Sequence, residues 1–472
     1  MTTQVRPRVV LINPRSTYYN EVAQKCFPPM HLLYLAAGLR QRDFEPRVID
    51  ANAFRLTDDQ IAEEVRRDQP LVVGLSVYSE VLRQVRDMTQ RVRSVVPQAH
   101  IVLGGPHASA IPQRTLEQFT DADYLLVGEA DESLPLLCET LARREPVQDV
   151  PGIVFRESGQ VRIGPEATLL DVDQVPRPAR DLLARAYEEK RYYSILVRRQ
   201  PVDTLFSSRG CPFHCGFCYN FRRKYRYRAP EDVVDELVSI RDRGIRDVEI
   251  ADDTFTGLHG RALRIFDLII TERLDVSLRI KSRVDVFDEA LAQRARQAGV
   301  YLVAFGMESG SQSMLDRMAK RTTVDMNARA CALTRKYGMM SHSSWIIGYP
   351  GETPETVAET LQFIRRHRPT TVNLAVLRPY PNTEAYEIGR ASGDLVGDWE
   401  PDAVEYPWIR LPWAREKQVL EQLCRRVRRQ VYFTPHYAGS FALQILRHAN
   451  WKLASYALQE TFRTLSPRKR GA

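Results

Sequence analysis

The sequence predicts an α/β protein made of two parallel sheets in series. The first is doubly wound, the second is a partial barrel of six βα units, and a helical segment ends the chain. Three observations carry that expectation. Short runs rich in Val, Ile and Leu alternate with helix-length amphipathic stretches through residues 8–143, and the alternation restarts at Val202. Gly, Ser and Pro gather where the apolar runs stop. A tight cysteine triplet follows the first run of the second half.

In the first half, residues 9–12 form a short apolar run that stops at Asn13-Pro14. Residues 29–39 read as a helix, 47–49 as a strand ending at Asp50, 71–77 as a strand and 81–95 as a helix. Residues 101–103 run into Gly104-Gly105-Pro106-His107, residues 124–127 run into Gly128-Glu129, and residues 133–141 close the region as a helix. Runs that are apolar throughout belong to strands buried on both faces, as in a flavodoxin- or Rossmann-like sheet. Such sheets take ligands outside the carboxyl ends of their strands, which is where Pro14, Ser76, Ser79, Gly104, Gly105 and Gly128 fall. No G-x-G-x-x-G follows the first strand, so a dinucleotide site is not supported. No cluster of acids follows it either, which argues against a receiver-type signalling domain. Residues 146–200, with turn signals at Pro151-Gly152, Glu157-Ser158-Gly159 and Pro176-Arg177-Pro178, read as a connector.

The second half supplies strands at residues 202–206, 247–251, 278–281, 301–305, 343–347 and 372–377. Helices lie between them, including residues 230–243 with Pro230 at a natural first-turn position, 289–298, 327–337 and 355–366. A partial (β/α)6 TIM-type barrel follows, with its chemistry at the carboxyl ends of the strands. The expected division is 1–145, 146–200, 201–400 and a basic helical region at 401–472.

The triplet is Cys211-Pro-Phe-His-Cys215-Gly-Phe-Cys218, spaced C-x3-C-x2-C. Gly210, Pro212 and Gly216 argue for a loop wrapped around something. Thiolates this close point to a metal or a cluster. A structural zinc site usually closes with four ligands, often as two separated pairs; here no second pair follows, and His214 sits awkwardly inside the triplet. Three thiolates suit a four-iron cluster with one iron left open.

Hydrophobic content of 44% and charged content of 27% are ordinary for a globular protein. Seven scattered or clustered cysteines and a polar start suggest a reduced, cytoplasmic chain without a signal peptide. No apolar run approaches the roughly 18 residues of a membrane span. From Pro401 onward there are 13 Lys and Arg against 5 Asp and Glu, a difference of +8 that equals the net charge of the whole chain. The Arg425-Arg426-Val427-Arg428-Arg429 cluster with its aromatic neighbours suits either a peripheral membrane contact or helices that cover the barrel. The run Arg222-Arg223-Lys224-Tyr225-Arg226-Tyr227-Arg228 raises nucleic-acid binding, but no nucleic-acid module accompanies it. A loop flanking the cysteines, its arginines paired with acids or ligand, is the preferred reading, and no nucleic-acid partner is expected.

With Phe217 in the aromatic position, the triplet resembles the C-x3-C-x-aromatic-C signature of the radical S-adenosylmethionine (SAM) family. The resemblance implies that Cys211, Cys215 and Cys218 hold a [4Fe-4S] cluster whose open iron chelates SAM. It further implies SAM contacts from Phe217; from Asp252, in Asp252-Asp253-Thr254-Phe255; and from Arg283, whose plain alternative is a surface arginine. Glu308, Ser309 and Gly310 in Gly306-Met307-Glu308-Ser309-Gly310-Ser311 resemble the family's ribose and carboxylate site, with Lys320 in reach. Gly348 lies in the adenine-side turn Ile347-Gly348-Tyr349-Pro350-Gly351-Glu352-Thr353. In Arg378-Pro379-Tyr380-Pro381-Asn382-Thr383, relatives often carry Gly where this chain has Asn382.

The first half resembles the cobalamin domains fused ahead of radical SAM cores. The likeness rests on Asn13-Pro14, Pro28-Pro29-Met30-His31-Leu32, Gly104-Gly105-Pro106-His107-Ala108-Ser109 and Val127-Gly128-Glu129. It implies cobalamin (B12) contacts at Pro14, Ser76, Ser79, Gly104, Gly105, His107, Gly128 and Glu129. None of the nine histidines lies in a D-x-H-x-x-G context, so cobalt is not expected on a histidine from that motif. His107 also reads simply as a cap on the Gly104-Gly105 turn.

What the resemblance implies for activity is a cobalamin-dependent radical SAM methyltransferase. A 5′-deoxyadenosyl radical would activate a carbon of a small-molecule substrate, methylcobalamin would deliver the methyl group, and an external flavodoxin- or ferredoxin-type donor would supply electrons. The alternatives are a cobalamin-dependent cyclase without net methyl transfer and, in another class, a cobalamin or iron–sulfur sensor without turnover. A tRNA methylthiotransferase is disfavoured, because Cys26 and Cys138 are too few for a second cluster.

Overall fold

The computed structural model describes residues 6–16, 25–194, 196–219 and 224–432, with 434, 437 and 439. The chain forms two compact units: Met1–Tyr192 with Asp398–Tyr406, and Tyr193–Gly397 with Pro407–Ala472.

The first unit is built on β1 (Arg8–Asn13), β2 (Glu45–Asp50), β3 (Val72–Ser76), β4 (His100–Gly104) and β5 (Tyr124–Leu126). These five are parallel, in the order β2-β1-β3-β4-β5. Val9, Val10, Leu11 and Ile12 are fully enclosed, as an uninterrupted apolar run requires in a sheet covered on both faces. From β1 the chain passes to β2 on one side and then returns past β1 to β3. The order therefore reverses between β1 and β3, and a crevice opens there at the carboxyl ends. Helices cover the faces. One of them, Asp58–Asp68, opens with a capping box in which Thr57 and Gln60 satisfy each other's backbone N–H.

The connector holds more structure than its sequence suggests. β6 (Ile153–Glu157) and β7 (Gln160–Ile163) extend the sheet as an antiparallel hairpin beside β5. Ser158 (φ 50°) and Gly159 (φ 81°) make its two-residue turn. The strand signal was weak because β7 is largely exposed and carries no apolar run.

Residues 398–406 return from late in the chain to complete this unit. Trp399 is buried. Arg86 grips the Asp402 carboxylate with two hydrogen bonds of 2.6 and 2.8 Å. Arg114 pairs with Asp398 at 2.8 Å and also with Glu400, and Tyr406 donates its hydroxyl to the Glu80 carbonyl.

The second unit contains β8 (Val202–Leu205), β9 (Asp247–Ile250), β10 (Ser277–Ser282), β11 (Val300–Glu308), β12 (Met340–Ile347) and β13 (Thr371–Val376). They are all parallel and lie side by side in chain order, with helices between them, as an open (β/α)6 barrel. At the amino ends, Asp247 accepts from the Tyr301 hydroxyl and lies 3.7 Å from Arg279, a buried polar knot that leaves the other end for chemistry. Helix Lys417–Tyr432 buries Leu420, Cys424, Val427 and Val431 and leaves Arg425, Arg426 and Arg429 exposed. Arg222, Arg223 and the helices expected beyond residue 440 lie outside the described residues. No helix among the described residues is long and apolar enough to cross a membrane.

Candidate active site

The cysteine loop begins just past β8, and backbone and side-chain hydrogen bonds hold it from several sides. Asp252, fully buried after β9, accepts from Ser207 N–H, Ser207 Oγ and Ser208 Oγ, each at 2.6 Å. Arg261 braces the same turn through the Ser207 and Arg228 carbonyls. Within the loop, Gly216 N–H donates to the Met318 carbonyl and the Gly216 carbonyl accepts from Ala385 N–H, both at 2.9 Å. A Cβ on Gly216 would lie 2.7 Å from both Glu384 Oε2 and Tyr349 Oη, so a side chain there would displace the ends of those two side chains.

Around the thiols the neighbours are polar or cationic. Cys211 Sγ is 3.6 Å from Thr254 Oγ1. Arg283 Nη1 donates toward Cys215 Sγ at 3.7 Å, and its guanidinium lies 3.9 Å from the Phe213 ring centroid. That guanidinium is fixed by a fork on Asp285, 3.0 Å on each oxygen, and by the Lys320 carbonyl at 2.7 Å. Burial raises the Cys215 thiol pKa, against the pull of Lys320 and Arg283. Among the described residues no three His, Cys, Asp or Glu side chains converge closely enough to hold a single metal ion.

At the end of β11, Glu308 adopts φ 60°, an uncommon backbone for a residue with a Cβ. Its Oε1 accepts from Lys320 Nζ at 3.0 Å, and both side chains are buried. Gly306 makes room: a Cβ there would come within 2.2 Å of Glu308 Oε1. Lys320 Nζ also lies 5.7 Å from the Phe217 ring centroid. Phe217, Arg283, Glu308 and Lys320 are thus brought together around the Cys215 side of the loop. Ser309 and Gly310 pack close instead, against Thr360 of helix Pro354–His367, and a Cβ on Gly310 would meet Thr360 Cα at 2.7 Å. Gly348 has φ 95° and donates to the Glu352 carboxylate at 2.5 Å. Burial lifts Glu352 to about 8. Asn382 takes φ 64°, the backbone a glycine would supply.

Asp285, Arg261 and the Ser207-Ser208 pair were not picked out in sequence, and Gly306 and Glu352 were only members of their motifs. The first had a signal in Arg283-x-Asp285; the serines had none.

At the carboxyl ends of the first sheet, Asn13 and Tyr192 hydrogen-bond the buried Asp50 carboxylate at 2.8 and 2.9 Å. Pro14 is buried beside them. Ser76 Oγ bonds His31 Nε2 at 2.9 Å, and Ser79 Oγ bonds His107 Nδ1 at 2.9 Å. Burial lowers both histidines to about 4. Gly105 has φ 100°, and a Cβ on it would sit 3.0 Å from the Val77 carbonyl. Gly128 has φ 81° and donates its N–H to Ser109 Oγ at 2.9 Å, with Glu129 next to it. Bare backbone at two adjacent strand ends is a surface that a broad, flat ligand can approach.

The structure thus sets three cysteines on one loop at the carboxyl end of an open βα barrel, in a chain that starts with a doubly wound sheet. Two family models match the chain: the B12 binding domain over residues 17–137 and the Radical SAM superfamily over residues 205–364. The chain thus contains a B12 binding domain followed by a radical SAM domain.

The chain is 29% identical over 433 residues to an uncharacterized methyltransferase of Pyrococcus horikoshii, covering 90% of this chain and 92% of that one. It is also 29% identical over 393 residues to the anaerobic magnesium-protoporphyrin IX monomethyl ester cyclase of Rubrivivax gelatinosus, with 80% and 69% coverage. The radical SAM methyltransferase TsrM of Kitasatospora setae, solved with tryptophan substrate and a SAM analogue, shares the fold at TM-score 0.70 and 22% identity, over 91% of this chain and 84% of that one.

Proposed function

We propose that this protein is a cobalamin-dependent radical SAM methyltransferase that places a methyl group on an unactivated carbon of a small molecule, a natural-product or lipid intermediate. The observation that carries the reading is one chain holding both cofactor domains and aligning along nearly its whole length with a methyltransferase. When bound, the cluster and SAM supply radical hydrogen abstraction, and cobalamin supplies the methyl carrier.

The chain's own residues have positional and electrostatic tasks. Cys211, Cys215 and Cys218 would hold the cluster as thiolates; a soft, three-thiol donor set suits it. Arg283, fixed by Asp285, would offset the negative charge at Cys215. Lys320 would meet the SAM carboxylate, and Glu308 the SAM hydroxyls or ammonium, beside Phe217. Asp252 would act by holding Ser207 and Ser208, and with them the start of the loop. Gly348 would shape the adenine-side turn, while Ser309 and Gly310 would seat the strand end on its helix. In the first unit, Pro14, Ser76, Ser79, Gly104, Gly105, His107, Gly128 and Glu129 would line the cobalamin site.

Reductive cleavage of SAM consumes an electron from outside, so a flavodoxin- or ferredoxin-type donor belongs to the proposal. The exposed arginines of helix Lys417–Tyr432 are the face that an anionic membrane surface would meet.

A cyclase reading is favoured by one kind of observation, the cyclase relatives, one of which aligns over 92% of this chain and 89% of its own length, at a lower identity of 24%. Product analysis separates the two. Anaerobically reconstituted protein given methyl-labelled SAM and cell extract should form 5′-deoxyadenosine and S-adenosylhomocysteine in near-equal amounts, with label in a new product. Deoxyadenosine formed with substrate, without S-adenosylhomocysteine or transferred label, would favour the cyclase instead.

A further inference from the structure

In a closed βα barrel the inner face of the strands is filled by side chains. Here the filling stops partway up. Near the amino ends Tyr301, Leu302 and Met340 form a buried cluster, with Leu196 and Ala304 packed on it. Beyond that floor the inner positions are small or polar and partly open: Gly306 on β11, His342 and Ser344 on β12, Asn373 and Ala375 on β13. The alternate positions point outward. Trp345 meets Phe363 of helix Pro354–His367, Phe305 meets Phe287, and Ser282 bonds Thr256.

Lys281 of β10 belongs to the inner face. It stands in register with Ala304 of β11, and Ala304 with His342 of β12. Its immediate neighbour is thus an alanine, which leaves the space beside its stem unfilled. Two residues on from Ala304 comes Gly306, and a Cβ there would lie 3.1 Å from Lys320 Nζ. One inner row, about 7 Å of strand, therefore separates Lys281 from the Glu308–Lys320 pair.

Charge sets Lys281 apart. It is the middle one of three cations at alternate positions. Arg279 lies 3.2 Å from the Glu249 carboxylate, and Arg283 grips Asp285 at 3.0 Å. Among the described residues Lys281 has no carboxylate within ion-pair distance; its ammonium donates to the Ala251 carbonyl at 3.1 Å. An ammonium carries three donors, and a partly buried charge without a counterion costs stability until an anion completes it.

We propose that Lys281 binds an anionic group of the substrate, a carboxylate or a phosphate, and so holds the substrate in the lumen below the groups assigned to SAM. Ser344 and Asn373, side by side in register, offer neutral hydrogen bonds on the far side of Gly306. The proposal rests on the methyltransferase reading above and narrows its small-molecule acceptor to an anion.

Fractionated extract tests this without a variant. Cell extract is passed over a quaternary-ammonium resin at neutral pH. Each fraction is given to anaerobically reconstituted full-length protein with methyl-labelled SAM. The retained, anionic fraction should stimulate 5′-deoxyadenosine formation, and the flow-through should not. Loss of that stimulation after phosphatase treatment assigns a phosphate; survival assigns a carboxylate. The amount of retained fraction giving half-maximal stimulation should rise about tenfold in Lys281→Met and recover in Lys281→Arg, as removal of one charge-assisted hydrogen bond predicts. SAM affinity and resistance to denaturant should hold in Lys281→Met, because the ammonium serves neither SAM nor the fold. Stimulation by the flow-through alone, or by neither fraction, overturns the proposal. So does a Lys281→Met protein that saturates like wild type, loses SAM affinity or unfolds more easily. Stimulation by the anionic fraction with no label transferred supports the Lys281 site and overturns the methyltransferase reading instead.

Discussion

At the carboxyl end of the first sheet, the groups gathered are glycines, serines and neutral histidines. At the carboxyl end of the second they are thiols, a buried Lys–Glu pair and an Arg–Asp fork. A corrin is broad and mostly apolar, so on the proposed reading backbone at Gly105 and Gly128 and a few hydroxyls would suffice. A cluster bearing thiolates and a zwitterionic ligand needs fixed countercharges, and these must be paired with one another before any ligand arrives. The first region is a surface of shape, the second a set of poised charges. They should therefore fail in different ways.

The largest effect is expected at the thiols. Replacing Cys211, Cys215 and Cys218 together by Ala should abolish bound iron and the visible absorbance of anaerobic protein, while changes at the buried Cys331 or Cys424 leave both intact. Full cluster loading in the triple variant would falsify the cluster site.

Next comes the buried pair. Glu308→Ala strands Lys320 without its partner and should cost about 3–5 kcal/mol in denaturant unfolding of the second unit. The loss should be partly restored by adding Lys320→Met. With substrate, the single variant should depress deoxyadenosine and S-adenosylhomocysteine together. Loss of only one product would mean that the pair serves one SAM reaction and not both.

The first region should respond to bulk, not charge. Gly105→Ala forces a side chain into a glycine-only backbone conformation against Val77, costing about 1–3 kcal/mol and most cobalamin affinity. Gly260→Ala, in a helix with nothing within 4 Å, should be neutral or stabilising by comparison. Equal effects at the two positions would remove the shape argument.

Titration gives the finest contrast. His31 and His107 fall from 6.5 to about 4 in the folded protein, so below pH 6.5 the unfolded chain binds protons that the folded one refuses. The first unit should lose roughly 1.4 kcal/mol per pH unit for each histidine as pH drops toward 4. Glu352 rises from 4.5 to about 8, so the folded second unit holds a proton that the unfolded chain has released. Its stability should fall as pH climbs from 4.5 to 8. Hydrogen exchange resolved by unit should show opposite slopes, flattened by His31→Gln in one and Glu352→Gln in the other.

The same contrast explains what could be read in advance. Thiols, charged motif residues and fully buried strands leave marks in sequence: Cys211–Cys218 spacing, Glu308 after an apolar run, Val9 to Ile12. The shape-based site leaves few, since a glycine at a strand end looks like any turn. His31 was visible only as part of a Pro-Pro-Met-His-Leu string, because its bond to Ser76 joins residues distant in sequence. The hairpin of β6 and β7 was missed because an exposed edge strand needs no apolar run. Residues 398–406, with four acids among nine residues, straddle the boundary expected at residue 400 between the core and the basic helical region; their docking on Arg86 and Arg114 is a tertiary fact.

Those late residues also set an order of events during synthesis. The first unit emerges early from the ribosome, yet its final piece begins at Asp398, roughly 200 residues after Tyr192. At about 5–20 residues per second, that gap lasts on the order of 10–40 seconds. Throughout it, Arg86 and Arg114 lack their acidic partners and the place of Trp399 stays open, in a nascent chain that already has its cofactor-type sheet. The vitamin domain is finished only after its catalytic neighbour has been translated, so a fragment cut at residue 192 would reproduce this unfinished intermediate and not the domain of the whole protein.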